Sequence, residues 1–335
     1  MTDPASATEA TAPRLTMVAA INQALDEAMA RNEKVIVLGE DIADPPGGVM
    51  KATAGLSTRY GNSRVRATPI SEQGFLGAAI GASLAGYRPV VEIMLMDFLA
   101  VCMDQLANHA AKLRYMSGGR TNVPITVRTV ASGGSQFGAQ HSQSLEAWLM
   151  HTPGLKVVVP STPAEAKGLL ISCIEDDDPC VFMESMMLLY TPGPVPAGYA
   201  PLPLGRAEVK RQGTDVTVIS WGWQVPQALQ AAETLAEEGT SVEVLDLRSL
   251  VPLDRHAILA SVAKTGRAVV VHAATQFAGP GAELAALIQA ELWGQLRGPV
   301  ERLGAPYTPV TFAADLEGAY YPNHARIADL IRKLD

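Results

Sequence analysis

A chain of 335 residues with 48% hydrophobic and 18% charged positions holds enough apolar material for a large core, and its length suggests about two domains. The formal net charge of -8 excludes the basic surface with which a nucleic-acid binder or a protein held on an anionic membrane neutralises phosphates. No apolar run approaches the ~20 residues that span a bilayer, and Cys102, Cys173 and Cys180 stand in apolar surroundings without metal-ligand spacing, as buried thiols do in a reducing, cytoplasmic compartment.

Residues 1–14, rich in Ala, Thr and Pro, lack the basic start and apolar stretch of a signal peptide and predict a disordered tail. After them, short β-branched runs alternate with longer amphipathic stretches, the pattern of an α/β fold around a parallel sheet. The pattern predicts helices over Met17–Arg31, Gln73–Ala85, Phe98–Met116 and Pro163–Ile174. It predicts strands over Val35–Gly39, Pro89–Met94, Val123–Arg128, Lys156–Val159 and Val181–Glu184, which complete a doubly wound domain over 15–190. The Pro- and Gly-rich segment 191–206 cannot continue a helix or a central strand and predicts a linker. Strands Val216–Ser220, Val242–Leu245 and Ala268–His272, with helices near Val225–Glu238, Asp254–Lys264 and Gly281–Leu292, then predict a second, smaller α/β domain over 207–335.

The glycines at Gly133, Gly134 and Gly138 and at Gly279 and Gly281 do not make the G-x-G-x-x-G of a dinucleotide site, and no Walker motif occurs; they suit turns and close backbone approach. Two other segments each set one ionisable group against an uncharged background. In Thr68-Pro69-Ile70-Ser71-Glu72-Gln73-Gly74-Phe75, Pro69 stiffens the entry, Ser71 can cap, and Glu72 opens an apolar helix. There it either complements the helix dipole or, in an apolar pocket, shares a proton with a ring nitrogen. In Gly138-Ala139-Gln140-His141-Ser142-Gln143-Ser144-Leu145, His141 falls in a loop or helix start at the carboxyl end of the Val123–Arg128 region, where open α/β sheets carry ligand sites. It either shuttles protons near neutral pH or satisfies backbone. Phe98, closing the apolar strand that begins at Pro89, either packs in the core or stacks on a flat heterocycle. The run Glu175-Asp176-Asp177-Asp178 lacks calcium-loop spacing and suits a solvated helix end, with backbone carbonyls open to a monovalent cation.

The runs Leu38-Gly39-Glu40-Asp41-Ile42, Thr68-Pro69-Ile70-Ser71-Glu72, Asn108 to Gly119, Gly138-Ala139-Gln140-His141-Ser142-Gln143-Ser144, Pro153 to Ser161 and Ala166-Lys167-Gly168-Leu169-Leu170 closely resemble the beta subunit of the thiamine-diphosphate-dependent component of 2-oxo acid and acetoin dehydrogenase complexes. The resemblance covers essentially the whole chain after the tail. Val123 to Thr129, Met96-Asp97-Phe98 and Ala305 to Val310 look most like acetoin dehydrogenase beta chains, with pyruvate and branched-chain 2-oxo acid dehydrogenases as runners-up.

The resemblance implies a pyrimidine-binding domain followed by a transketolase C-terminal-like domain. It implies an enzyme that cleaves acetoin, or a related ketone or 2-oxo acid, and passes the acyl group to lipoamide of a partner acyltransferase core. It assigns Glu72 to the aminopyrimidine ring of thiamine diphosphate, where it promotes the imino tautomer that deprotonates the thiazolium; Phe98 stacks on that ring and Ile70 lines the pocket. His141 assists proton transfer on the substrate side and when the lipoyl disulfide opens. Potassium is implied on backbone carbonyls at Ile125, Cys173, Ile174, Asp176 and Asp178. The family's Gly-Asp-Gly motif, which holds Mg2+ and the diphosphate, occurs nowhere in this chain. An alpha subunit in an alpha2-beta2 heterotetramer is therefore implied. A self-contained transketolase-like enzyme would need that motif, and a non-catalytic scaffold subunit would have no use for Glu72 and His141 at the family spacing. The chain departs from the family pattern at Ala67, usually acidic, at His272-Ala273-Ala274, which usually carries a glutamate, and over Glu184 to Tyr190, which bears on the substrate.

Overall fold

The computed structural model describes residues 12–334, which divide into two compact units, one of residues 12–131 and 151–204 and the other of 132–150 and 205–334. The first is built on strands β1 (Val35–Gly39), β2 (Val65–Ala67), β3 (Arg88–Leu95), β4 (Thr126–Ala131), β5 (Lys156–Val158) and β6 (Cys180–Ser185). They run parallel in the order β5-β6-β4-β3-β1-β2. Continuous apolar runs such as Val35-Ile36-Val37-Leu38 are buried throughout, as a parallel sheet covered by helices on both faces requires. Strand β2 is three residues long and carries Arg66, so it leaves no periodic signal in the sequence.

Helix α1 (Met17–Arg31) starts where the Thr16 hydroxyl accepts from the Ala19 amide, and it buries Met17, Ile21, Leu25 and Met29. It packs on a helix over Pro163–Glu175, which opens on a capping box between Thr162 and Glu165 with Pro163 in its first turn. The expected helix over Phe98–Met116 is broken. A 3-10 turn over Met96–Phe98 leads into a short helix, Leu99–Asp104, in which Cys102 leaves helical geometry (φ -117°, ψ 18°); a π-helical turn, Gln105–Ala110, and a last piece, Ala111–Met116, follow. Such a π insertion shifts the apolar period by one residue within a single turn, too short a stretch for a periodicity reading to tell from a continuous helix.

The end of the expected tail and the start of the expected linker meet in a ribbon. Arg14–Thr16 pairs antiparallel with Pro192–Pro194, and the Val195 amide donates to the Pro13 carbonyl at 2.9 Å. Residues 1–11 of the tail lie outside the described residues. Further on, Leu202 donates to the Gly168 carbonyl and its own carbonyl accepts from Ser172, while a Cβ at Gly168 would stand 2.6 Å from Leu202 Cγ. The segment up to Leu204 is thus strapped onto the first unit. Pro192 and Pro194 lack N–H donors and are accommodated by this two-stranded ribbon, where half the ladder goes unused.

The second unit holds a five-stranded sheet of β7 (Glu208–Arg211), β8 (Val216–Ser220), β9 (Val242–Asp246), β10 (Ala268–Thr275) and β11 (Glu301–Ala305), in the order β11-β10-β8-β9-β7. All neighbours are parallel except the edge strand β7. Both edge strands carry charge, in Glu208-Val209-Lys210-Arg211 and Glu301-Arg302, which protects an open edge and hides the strand from a search for apolar runs. Helices Gln224–Glu237 and His324–Ile331 close one face over Val218, Val244, Val269 and Val271. No helix among the described residues is long and apolar enough to cross a membrane.

Candidate active site

In the first unit the loops at the carboxyl ends of β1 and β2 run side by side, tied by the Thr68 amide donating to the Gly39 carbonyl at 2.9 Å. Each presents one carboxylate. Glu40 follows the last residue of β1 and is 9% exposed; Glu72 is the first residue of helix α2 (Glu72–Leu84) and is 8% exposed. Ser71 precedes that helix, but its side chain makes no cap bond. Burial raises the Glu40 carboxyl above the ordinary carboxylate range, and the negative charges of Glu72 and Asp41 raise it further. Its Oε1 is buried without a hydrogen-bond partner among the described residues. Burial also pushes the Cys102 thiol up to about 12, with the Glu72 charge adding to it, so Cys102 is a neutral thiol facing the same carboxylate.

The break in the helix at Cys102 joins this cluster to Phe98, because the Cys102 Sγ donates to the Phe98 carbonyl at 3.8 Å. Phe98 is half-buried. Ile70 stands apart on the surface, 85% exposed. Sequence reasoning assigned Glu40 no role; its signal was a carboxylate placed directly after a wholly apolar strand, beside the sheet end that carries Glu72.

Beneath the loops, Arg128 on β4 is 2% exposed and lies between two carboxylates. Its Nη1 donates to Glu92 on β3 at 2.7 Å, and its Nε and Nη2 donate to Glu184 on β6 at 2.6 and 2.9 Å. One guanidinium against two carboxylates leaves Glu184 short of compensation, and burial pushes it up to about 7 despite Arg128.

The carbonyls predicted for potassium are already engaged. Ile125 O accepts from the Cys180 amide, Cys173 O accepts from the Asp176 amide, and Ile174 O and Asp176 O both accept from Arg88 Nη1 at 3.1 and 2.9 Å. The Lys156 ammonium lies 2.6 Å from the Asp176 carboxylate and 3.5 Å from that of Asp178. With a guanidinium on two of the five carbonyls and an ammonium beside them, these residues do not fit a potassium ion: a further cation there meets positive charge first. Among the described residues no cluster of His, Cys, Asp and Glu could hold a metal.

His141 belongs to the second unit, half-buried in a turn of the loop 132–145, where its amide donates to the Gly138 carbonyl at 3.3 Å. Elsewhere in that unit His272 is fully buried at the centre of β10, its Nδ1 3.0 Å from the Ala274 carbonyl and its ring stacked 5.5 Å from Trp221. Burial holds His272 down at about 4, so it is a neutral packing residue at ordinary pH.

Two domain models match the chain: the transketolase pyrimidine-binding domain over residues 14–191 and the transketolase C-terminal domain over 205–327. The acetoin:2,6-dichlorophenolindophenol oxidoreductase subunit beta of Cupriavidus necator is 44% identical over 331 residues, covering 96% of this chain and 98% of that protein. The pyruvate dehydrogenase E1 component subunit beta of Bacillus subtilis is 43% identical over 322 residues, with 96% and 98% covered. A solved split-gene transketolase, described as an inactive beta4 tetramer, superposes with a TM-score of 0.77 at 23% identity over 96% of this chain and 98% of that one, a likeness of fold.

Proposed function

Since this chain belongs to the beta subunits of the thiamine-diphosphate-dependent acetoin and 2-oxo acid dehydrogenases, we propose that it cleaves acetoin or a closely related ketone or 2-oxo acid together with an alpha subunit. The acyl group then passes to the lipoyl arm of an acyltransferase core. The alpha subunit would hold Mg2+ and the diphosphate in an alpha2-beta2 heterotetramer in the cytoplasm, since this chain carries no Gly-Asp-Gly motif.

The observation that carries the reading is the Glu40–Glu72 pair at adjacent parallel strand ends, with a buried Glu40 oxygen that finds no donor among the described residues. These residues fit an aminopyrimidine, whose ring nitrogens and amino group supply the hydrogen-bonding partners two confined carboxylates lack. Bound there, thiamine diphosphate would supply the nucleophilic carbon for cleaving the substrate. Glu72 would hold a proton at its carboxyl oxygen against a ring nitrogen, and Glu40, raised by burial, would keep charge around it low. Phe98 would give the ring a flat apolar face, and Ile70, exposed in the isolated chain, would be covered when cofactor and alpha subunit are in place. His141 would move a proton at an imidazole nitrogen during acyl transfer. Potassium has no part in the proposal, because Arg88 already serves two of the five carbonyls it would need.

The test is reconstitution with the alpha subunit and assay of dye reduction with acetoin, pyruvate and branched 2-oxo acids. Glu72→Gln should lower the rate by at least about a hundredfold. Full activity in that variant overturns the mechanism, and a rate with none of the three substrates overturns the substrate assignment.

A further inference from the structure

The loop that carries His141 is fastened at both ends by groups from the C-terminal part of the second unit, 179 to 183 residues away in sequence. The Glu317 carboxylate, 3% exposed, accepts from the Gly134 amide at 3.0 Å with Oε1 and from the Gln136 amide at 2.7 Å with Oε2. Gly134 (φ +88°), Gln136 (φ +60°) and Gly138 (φ +75°) lie in the left-handed region. Such a chain turns its N–H groups into a concavity for an anion, and Glu317 is the anion. For Gln136 that conformation is strained, and surrounding structure must hold it.

On the far side of the turn, the Tyr321 hydroxyl donates to the Ser142 carbonyl at 2.8 Å, while Ser132 Oγ is hydrogen-bonded to the His141 carbonyl. Both peptide groups that follow the imidazole are therefore held. Tyr321 is itself immobilised, edge-on to Trp223 at 5.4 Å and to Tyr320 at 4.8 Å, and so close to Gly133 that a Cβ there would stand 2.6 Å from its hydroxyl. Beyond the turn, Trp221 Nε1 donates to the buried Glu146 at 3.3 Å, anchoring the helix onto which the loop runs.

We propose that Glu317 and Tyr321 are positioning residues for His141: they hold its turn in the one conformation that aims the imidazole, and they serve acyl transfer in particular. The inference rests on the reading of His141 given above. A proton donor works only within hydrogen-bond reach of its target, so a loosened turn lowers the rate of the step that uses it and leaves steps that do not use it alone. Tyr321→Phe removes one hydroxyl and keeps the packed ring; Glu317→Gln keeps one acceptor and turns an amide N–H toward the second backbone donor.

The experiment measures two rates on the same reconstituted heterotetramer, acylation of a lipoyl domain and reduction of an artificial dye, and takes their ratio. The ratio should fall roughly tenfold in Tyr321→Phe and further, toward a hundredfold, in Glu317→Gln. His141→Ala should lower it at least as much, and adding Tyr321→Phe to His141→Ala should change nothing more, because the two act through one group. A ratio unchanged in Tyr321→Phe, or additive losses in the double variant, overturns the positioning role even where both rates fall together, which is what plain destabilisation would do. A ratio unchanged in His141→Ala overturns instead the reading of His141 on which the proposal rests.

Discussion

The two units share a parallel sheet between helices but handle buried charge in different ways. In the first, the buried cations are met by carboxylates: Arg128 sits between Glu92 and Glu184, and Lys167, buried on the helix Pro163–Glu175, reaches Glu27 at 2.9 Å and the carbonyls of Pro196 and Gly198. In the second, buried ionisable groups are mostly met by uncharged ones. Glu317 takes two backbone amides, Glu146 takes the Trp221 N–H, and His272 stays neutral on a carbonyl, with the Glu243–Lys264 and Arg248–Glu208 ion pairs as exceptions. Glu40 follows neither course: Glu92 and Glu184 of the same unit have a cation and Glu165 takes backbone and hydroxyl donors from Ser161 and Thr162, whereas the Glu40 Oε1, beside Glu72, finds no donor among the described residues.

The sharpest way to break the comparison is Arg128→Met. It leaves Glu92 and Glu184 buried without their cation, and the variant should lose about 3–5 kcal/mol of stability in urea titrations. A loss under about 1 kcal/mol would mean that the triad is not compensating buried charge.

The two units should also answer pH with opposite sign. His272 is lowered from 6.5 to about 4 by burial, so the unfolded chain takes up the proton more readily. The stability it contributes above pH 6.5 is lost as the pH falls toward 4, by about 3 kcal/mol, and His272→Gln should remove that slope. Glu184 is raised from 4.5 to about 7, so its contribution is present at low pH and is lost as the pH rises through 7; Glu184→Gln should gain on the parent protein over that interval. Urea midpoints taken for each variant between about pH 4 and pH 8 read both slopes, and equal signs would end the contrast.

A smaller effect is expected where the second unit packs His272 on backbone rather than on charge. A Cβ at Gly281 would stand 2.7 Å from His272 Nε2, so Gly281→Ala should cost about 1–3 kcal/mol through overpacking, visible as a lower melting temperature. An unchanged melting temperature would show that the ring has room to move.

Much of the framework was legible in the residues. The helix over Met17–Arg31 and the strands Val35–Gly39 and Val216–Ser220 stand where apolar periodicity and cap residues put them, since both signals are local. The strand over Glu301–Ala305 and the edge strand Glu208–Arg211 left no such signal, because an edge is protected by the charges that erase an apolar pattern. The break at Cys102 was invisible for a related reason: a π turn inserts a residue without changing which types are apolar. The sequence motifs picked out Glu72 and Phe98 in the first unit and His141 in the second, but not Glu40, Glu317 or Tyr321, which stand out only by what they touch.

By itself, the sequence determined the α/β class, the two-domain plan, the carboxylate at the start of an apolar helix and the absence of a diphosphate motif, because each is a matter of residue type and near-neighbour order. Tertiary structure alone decided that Glu40 stands beside Glu72, that Arg88 occupies two of the five carbonyls named for an alkali cation, and that Glu317 and Tyr321 grip the loop of His141. Those pairings join segments far apart in the chain, with sequence separations of 183 residues from Gly134 to Glu317 and 179 from Ser142 to Tyr321. Hydrophobic period records which way a side chain faces and carries no information on what a distant segment brings to meet it.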